Sequence, residues 1–393
     1  MIRFAATTFE IRSPTGTRSS SLVGKPVAAV YDPLKSCVFL VEDRGRLIVL
    51  HTSHFPTDYH SVSVLLKDRM ARALGIPCDQ VFCFSSHNHC IAILYAKDRA
   101  KDRYPVGHSE PVDKLKPEEE LTWEGQELLK LSTEAVTRLR GQLEQVSVRF
   151  GAGKERRITH NRKGRRADGS TYLMREEDRL LLGEDFTGDI DDEAFVIGFF
   201  REEGKPAGFL TQFTGHPVTA HQPERQIVCA EYPQVACDDL SAAFENVPVG
   251  FLQGCAGDTN SKGLLSTLSA DESVRRAEGY GHQLGETFIE IAKALSPSKK
   301  QDLSWKWGSV TLPFREVPSV WELESRLEGV RNFLRRCQEG DEVGTRRCDG
   351  LNFPRNMSVS FRKVLIQPTR EWLEWALAFH RENRLHEAPT GVT

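Results

Sequence analysis

The sequence lacks any Cys-x-x-Cys pair: its nine cysteines, an odd number, are scattered through 393 residues. That spacing argues against a zinc ribbon and against a disulfide framework, so reduced thiols and a cytoplasmic setting are expected. Long apolar runs are missing too. The N-terminal MIRFAATTFEIRSPTG has no extended hydrophobic segment after Arg3, and nothing elsewhere approaches the length of a membrane span. An unexported protein with no stable membrane association is the expectation. Nor is there an excess of charge of either sign, since 52 lysines and arginines stand against 55 aspartates and glutamates. Nucleic acid is therefore not an expected partner, and a small-molecule substrate is.

What is present is an alternation of strand-like and helix-like segments along most of the chain, which points to an α/β fold. Val38–Val41 and Leu47–Leu50 are short apolar runs around the polar EDRGR, and read as two strands joined by a turn. Val62, Leu65, Leu66, Met70 and Leu74 then fall on one helical face, with Gly75 and Pro77 as the stop. Gln80–Ser85 returns to a strand, making a β-α-β arrangement. Residues 97–120 are charged and punctuated by Pro105, Pro111 and Pro117, as a surface excursion would be. A helix is predicted over Leu121–Leu143 and strands over Val146–Phe150, Phe195–Phe200 and Gly208–Phe213. Beyond them come a helix over Glu231–Phe244, a strand over Val247–Gln253, a helix through Ala277–Leu295 and an extended Leu303–Leu312. Helical spacing recurs at Val320, Leu323, Leu327, Val330 and Leu334. The predicted architecture is one domain over 1–393, a mixed sheet flanked by helices, with a mainly helical segment at 315–393.

Three of these strands end alike. FCFSS runs into His87-Asn88-His89-Cys90, FLTQFT into Gly215-His216-Pro217, and VGFLQG into Cys255-Ala256-Gly257-Asp258-Thr259-Asn260. Each feature alone has an ordinary reading: strand-end histidines bonded to backbone, a loop histidine before proline, a turn aspartate. Together they place His and Asp where α/β sheets bind ligands, beyond the carboxyl ends of strands. Neutral imidazoles suit zinc, and a catalytic zinc takes about three protein ligands.

The order of these motifs resembles that of the neutral/alkaline, non-lysosomal ceramidase family. That family carries a His-x-His segment after a strand, an Asn-Arg segment, a strand ending in a zinc-binding His, and Gly-Asp-Val-Ser-Pro-Asn. Matching them here are Ser86-His87-Asn88-His89, Asn161-Arg162, Gly215-His216-Pro217 and Gly257-Asp258-Thr259-Asn260-Ser261. The resemblance spans roughly residues 30 to 300. It implies His87 and His216 as ligands of a zinc ion, and His89 and Arg162 as contacts to the substrate or its tetrahedral intermediate. Asn260 stands where the family has its nucleophilic serine, with Ser261 one position later, so water at a metal is the expected nucleophile and Asn260 an orienting group. The family completes its site with a Glu and a Tyr from an apolar strand running into Gly-Glu, and no such segment is found before Thr393. Candidates to complete it are His89, His221, Glu231 and Asp258, or groups from a partner subunit.

The run KERRITHNRKGRR, residues 154–166, has seven basic residues in thirteen but no interleaved aromatics. It reads as a solvated loop, with Arg162 suited to a carboxylate or phosphate on an anionic substrate. Acidic residues 184–193 read as exposed surface, and Cys90 and Cys255 as buried small hydrophobes. The functional expectation is a zinc-dependent hydrolase of an amide or ester bond, with Asp258, Asn260 and Ser261 in its site. A non-catalytic binding relative with the same fold is the alternative.

Overall fold

The computed structural model describes residues 1–18, 25–55, 60–94, 118–165, 171–173, 188–221, 226–262, 268–297, 302–306, 318–341, 345 and 359–383. They group into two compact units. The first draws on 1–96, 115–162 and 185–304, and the second on 97–114, 163–184 and 305–393.

Along the first unit run β1 (Ile2–Ile11), β2 (Ala29–Val30), β3 (Leu34–Asp43), β4 (Arg46–Ser53), α1 (His60–Leu74), β5 (Val81–Ser85) and α2 (Trp123–Leu139). Then come β6 (Glu144–Gln145), β7 (Ser147–Lys154) and β8 (Thr159–Asn161). A small hairpin of the second unit, β9 (Lys163–Arg165) and β10 (Thr171–Leu173), intervenes. The first unit resumes with β11 (Glu193–Phe200), β12 (Pro206–Phe213), β13 (Ile227–Val228), α3 (Glu231–Ala243), β14 (Val249–Gln253), β15 (Thr259–Ser261), α4 (Ala270–Lys293) and β16 (Ser296–Pro297).

Two five-stranded mixed sheets result, where the sequence had suggested one. The first has the order β5-β4-β3-β1-β6 and the second β14-β12-β11-β7-β16. Each is antiparallel but for one edge pair, β4 with β5 and β12 with β14. The alternation of side chains along β3 explains the doubling. Val38 and Leu40 belong to a core with Val62, Leu66 and Met70 of α1 and Leu128 and Val136 of α2. Phe39, on the opposite face, is also fully buried, and its ring meets Phe4 and Phe199. Phe4 of the first sheet stacks on Phe199 of the second at 4.0 Å. A strand buried on both faces needs cover on both, and here helices supply one side and the other sheet the second. Helices α3 and α4 close the outer face of the second sheet through Tyr232, Ala236, Leu240, Leu284 and Phe288. Each fully buried phenylalanine contributes roughly 1.5–3 kcal/mol, so this aromatic seam holds the two sheets firmly face to face.

The hairpin between β3 and β4 turns at Arg44 and Gly45, both with positive φ (52° and 77°), which is why glycine serves there. Helix α1 ends at Gly75 (φ 66°), and the predicted helix over 121–143 stops at Leu139, its last residues forming a single tighter turn over Arg140–Gln142. The basic run 154–166 is not a solvated loop. Ile158 and Thr159 are buried, and Thr159–Asn161 pair antiparallel with β15. Three of its charges are matched locally: Arg157 binds the buried Glu155, while Lys154 and Arg156 bind Asp192 of the acidic segment. Residues 97–117 of the predicted excursion lie outside the described residues. Of the extended segment Leu303–Leu312 only 303–306 are described, without a strand, Leu303 donating its N–H to Asp43 (3.1 Å).

In the second unit α5 (Val320–Glu339) and α6 (Val359–Arg381) form the helical C-terminal part. Ser319 and Glu322 build a capping box before α5, and Gly340 (φ 73°) ends it. Leu323, Leu327, Val330 and Phe333 pack against Ile366, Leu373, Ala376 and Leu377. The ion pairs Glu324–Arg381 and Arg331–Glu374 show that the helices run antiparallel. Among the described residues, no helix is long and apolar enough to cross a membrane.

Candidate metal centre

The three strand ends picked out by sequence meet in the first unit. His87 lies two residues beyond β5, His216 three beyond β12, and Ala256–Asp258 just beyond β14. His87 has a positive φ (62°), a conformation that costs a residue with a Cβ roughly 1–2 kcal/mol. It is held there by its neighbours. Ser85 Oγ accepts the His87 N–H (3.2 Å) and donates to the Phe55 carbonyl (2.9 Å). The Asn88 side chain then fixes the loop, donating to the Cys229 carbonyl (2.9 Å) and accepting from the Cys90 N–H (2.7 Å). These bonds bring His87 and His89, two residues apart, to the same side of the strand end, their rings 5.0 Å centroid to centroid.

His216 is anchored from below. Its N–H donates to the Thr259 carbonyl (2.9 Å), and its own carbonyl receives the Ser261 N–H (3.4 Å), so it bridges in parallel to Asn260. The preceding Gly215 carbonyl accepts from Gln253 Nε2 (3.0 Å) and from the Tyr232 hydroxyl. A Cβ on Gly215 would stand 2.6 Å from Thr159 Cγ2 and 2.8 Å from the Tyr232 oxygen, so only glycine fits. Nδ1 of His216 faces the Ala256 carbonyl (3.3 Å), which turns Nε2 toward the other rings.

The outcome is a cluster of three imidazoles. Ligand nitrogens of His87, His89 and His216 all lie within 4.8 Å of one another. Nε2 of His89 and Nε2 of His216 are 3.1 Å apart, and the His87 and His216 rings are 4.5 Å between centroids. A tetrahedral zinc with metal–nitrogen bonds of about 2.0–2.1 Å sets its ligands roughly 3.3 Å apart, close to the 3.1 Å between His89 and His216. The protonation state also suits a metal. Burial pushes His216 down to about 3, with the positive charge of Arg162 and the neighbouring His87 adding to the effect. His89 is likewise held well below the usual imidazole range, by burial first and then by His221 and the other rings. Both are therefore neutral, the form that coordinates metals. The donor set fits zinc or a similar ion.

The other expected residues take distinct places. Arg162 follows β8 and is tied to the same turn as His216, its N–H on the Asp258 carbonyl (2.7 Å) and Nε on the Gly257 carbonyl (3.0 Å). Asp258 is half-buried, one carboxylate oxygen accepting from Thr259 Oγ1 (3.2 Å). Asn260 pairs with His160 across β8–β15. It is 3% exposed, and among the described residues neither its Oδ1 nor the fully enclosed Ser261 hydroxyl has a hydrogen-bond partner. His221 stands beside His89, rings 5.2 Å apart, outside the trio of converging nitrogens.

Glu231 does not reach the cluster. Its Oε1 accepts the Ala220 N–H (2.6 Å) and Oε2 the Tyr232 N–H (3.4 Å), so it braces the loop that carries His216. It does so at a positive φ (54°) and fully buried, and burial raises its carboxyl to about 7 despite those donors. Nothing in the sequence marked it as a brace; a helix-starting Glu is commonplace, and the strain appears only in three dimensions. Cys90 is buried as expected, but Cys255 is exposed, because it sits on the turn after β14 rather than on the strand.

The fold is similar to that of a neutral ceramidase from Pseudomonas aeruginosa, with a TM-score of 0.54 and 17% identity over 74% of this chain and 45% of that one. A ceramidase complexed with C2 is equally similar, at a TM-score of 0.54 and 15% identity over 74% and 44%. The chain spans less than half the length of either protein. No family model matches the sequence, and no curated protein sequence matches it.

Proposed function

We propose that this chain is a metal-dependent hydrolase, holding zinc at His87, His89 and His216 and cleaving an amide or ester bond in a small-molecule substrate. The convergence of three imidazoles at the carboxyl ends of strands from both sheets carries this reading, with burial keeping two of them, His89 and His216, neutral. The likeness in fold to ceramidases supports it. The imidazole of His89, first expected to contact substrate, becomes the third ligand because its Nε2 stands at ligand spacing from that of His216. When bound, such an ion polarises the substrate carbonyl and supplies water of near-neutral pKa as nucleophile. The chain's own residues do the rest. Nδ1 of His216 is oriented by the Ala256 carbonyl, an outer contact that fixes ring direction and raises ligand basicity. Arg162, held by the Gly257 carbonyl, offers fixed positive charge to the substrate oxygen as negative charge develops there. Asn260, whose backbone bridges in parallel to His216, holds that ligand in place, its Oδ1 being as enclosed as the Ser261 hydroxyl. Ser261 supports His216 through its backbone, and its enclosed hydroxyl is not the attacking group.

Metal analysis of the protein purified without added zinc tests the reading, followed by a panel of amide and ester substrates. About one equivalent of zinc, lost in His87→Ala and His216→Ala together with turnover, is the expected result. Absence of a bound divalent ion, or equal turnover in wild type and His216→Ala, would sink it. Zinc bound without turnover of any amide or ester would make the chain a metal-binding relative rather than a hydrolase.

A further inference from the structure

The turn after β14 is built to hold two functional side chains next to each other. Three successive carbonyls are used for this: Ala256 faces His216 Nδ1 (3.3 Å), Gly257 accepts from Arg162 Nε (3.0 Å), and Asp258 accepts from the Arg162 N–H (2.7 Å). The guanidinium is thereby fixed beside the imidazole cluster with its Nε spent. Among the described residues, no side chain accepts from its two terminal nitrogens and no carboxylate forms an ion pair with it. Asp258 is near enough to act on its charge, but that carboxylate is turned to Thr259 Oγ1. A half-buried cation is normally paired; among the described residues this one has the attraction of Asp258 alone, without a direct bond. The turn that holds it is open on the Gly257 side, where a Cβ would meet nothing within 4 Å among the described residues. The three histidines beside it carry no negative charge to balance it.

An uncharged amide would meet this excess of positive charge only at the transition state. A permanent oxyanion would meet it in the ground state, and the planar fork of a guanidinium matches carboxylate or phosphate oxygens two at a time. We propose that the substrate carries an oxyanion, a carboxylate or a phosphate, beside the bond to be broken, and that the terminal nitrogens of Arg162 receive it. The inference rests on the hydrolase reading for the bond, but not for the anion site itself.

The zinc-loaded protein is compared on matched pairs: N-acyl amino acids against their carboxamides, and N-acyl phosphoethanolamines against N-acyl ethanolamines, with short and long acyl chains. Turnover and calorimetric binding are both measured, in wild type and in Arg162→Gln. The expected result is a KM or Kd lower by roughly 10- to 100-fold for the charged member of at least one pair, with the preference abolished in Arg162→Gln. The pair that shows it tells carboxylate from phosphate. If Arg162 serves only charge developing in the transition state, Arg162→Gln lowers kcat of both members alike and neither is preferred. That outcome, or equal binding of both members throughout, overturns the proposal and leaves the hydrolase standing. Selective binding of the anion without turnover supports the anion site and removes the hydrolase.

Discussion

The strained, enclosed Glu231 offers a quantitative test of how the loop that carries His216 is braced. Its carboxyl is raised from 4.5 to about 7 by burial, so the folded state holds a proton over a range in which the unfolded state has released it. Between pH 4.5 and 7 the native protein binds more protons, and the contribution of this group to stability is present at low pH and lost as pH rises through 7. Integrated from pH 5 to pH 8, the loss is about 2.5 kcal/mol. Glu231→Gln has nearly the same size and cannot ionise. The histidines titrate in both proteins, so the difference between the two stability curves isolates the carboxylate. Relative to wild type, Glu231→Gln should therefore gain about 2.5 kcal/mol between pH 5 and pH 8, whatever its offset at either end. In a thermal scan that is a change in relative midpoint of roughly 5–10 °C for a unit of this size. Parallel curves, agreeing to within about 0.5 kcal/mol across the range, would refute the assignment of a buried, near-neutral carboxyl.

Further outcomes follow from other residues. Because burial holds His216 neutral down to about 3, zinc should be retained on dialysis at pH 5, where an ordinary imidazole is mostly protonated; metal analysis showing half-loss near pH 6.5 would contradict this. Gly215→Ala forces a Cβ to within 2.6 Å of Thr159 Cγ2, and should cost about 1–3 kcal/mol by overpacking and roughly tenfold or more in zinc affinity by displacing His216. Urea denaturation and competition with a chelator read the two effects, and unchanged affinity would show that His216 is positioned independently of Gly215. Arg157→Met strips the buried Glu155 of its guanidinium (2.6 Å) and should cost about 1–2 kcal/mol, a figure reduced because Arg157 is half-exposed; a loss too small to measure would mean that water takes its place.

Periodicity made the β3–β4 hairpin, α1, β5 and the α3–β14 segment visible, since each has one face against a core and the pattern repeats cleanly. The stacking of two sheets was not visible in the same way. Phe4, Phe39 and Phe199 are single aromatics on separate strands, and only their meeting reveals that β3 is covered on both sides. The site was legible where it depended on strand ends: His87, His89 and His216 converge as their positions suggested. It was illegible where it depended on backbone contacts between distant segments. Pairing of Thr159–Asn161 with Thr259–Ser261 turned an apparently solvated basic run into the strand that delivers Arg162. Short strands of this kind have too few residues to show a period, and their stability comes from burial of residues such as Ile158 and Thr159.

His89 and His216 are 127 residues apart in the chain, and an ion shared between them would act as a removable cross-link. An ion that binds only the folded chain stabilises it by mass action, about 2.7 kcal/mol when free zinc is a hundredfold above Kd. Zinc would then bind late, after both sheets have formed, and chelation would speed unfolding more than it slows folding. Metal loading and resistance to proteolysis should accordingly rise and fall together, making the ion a clasp on the architecture as much as a reagent.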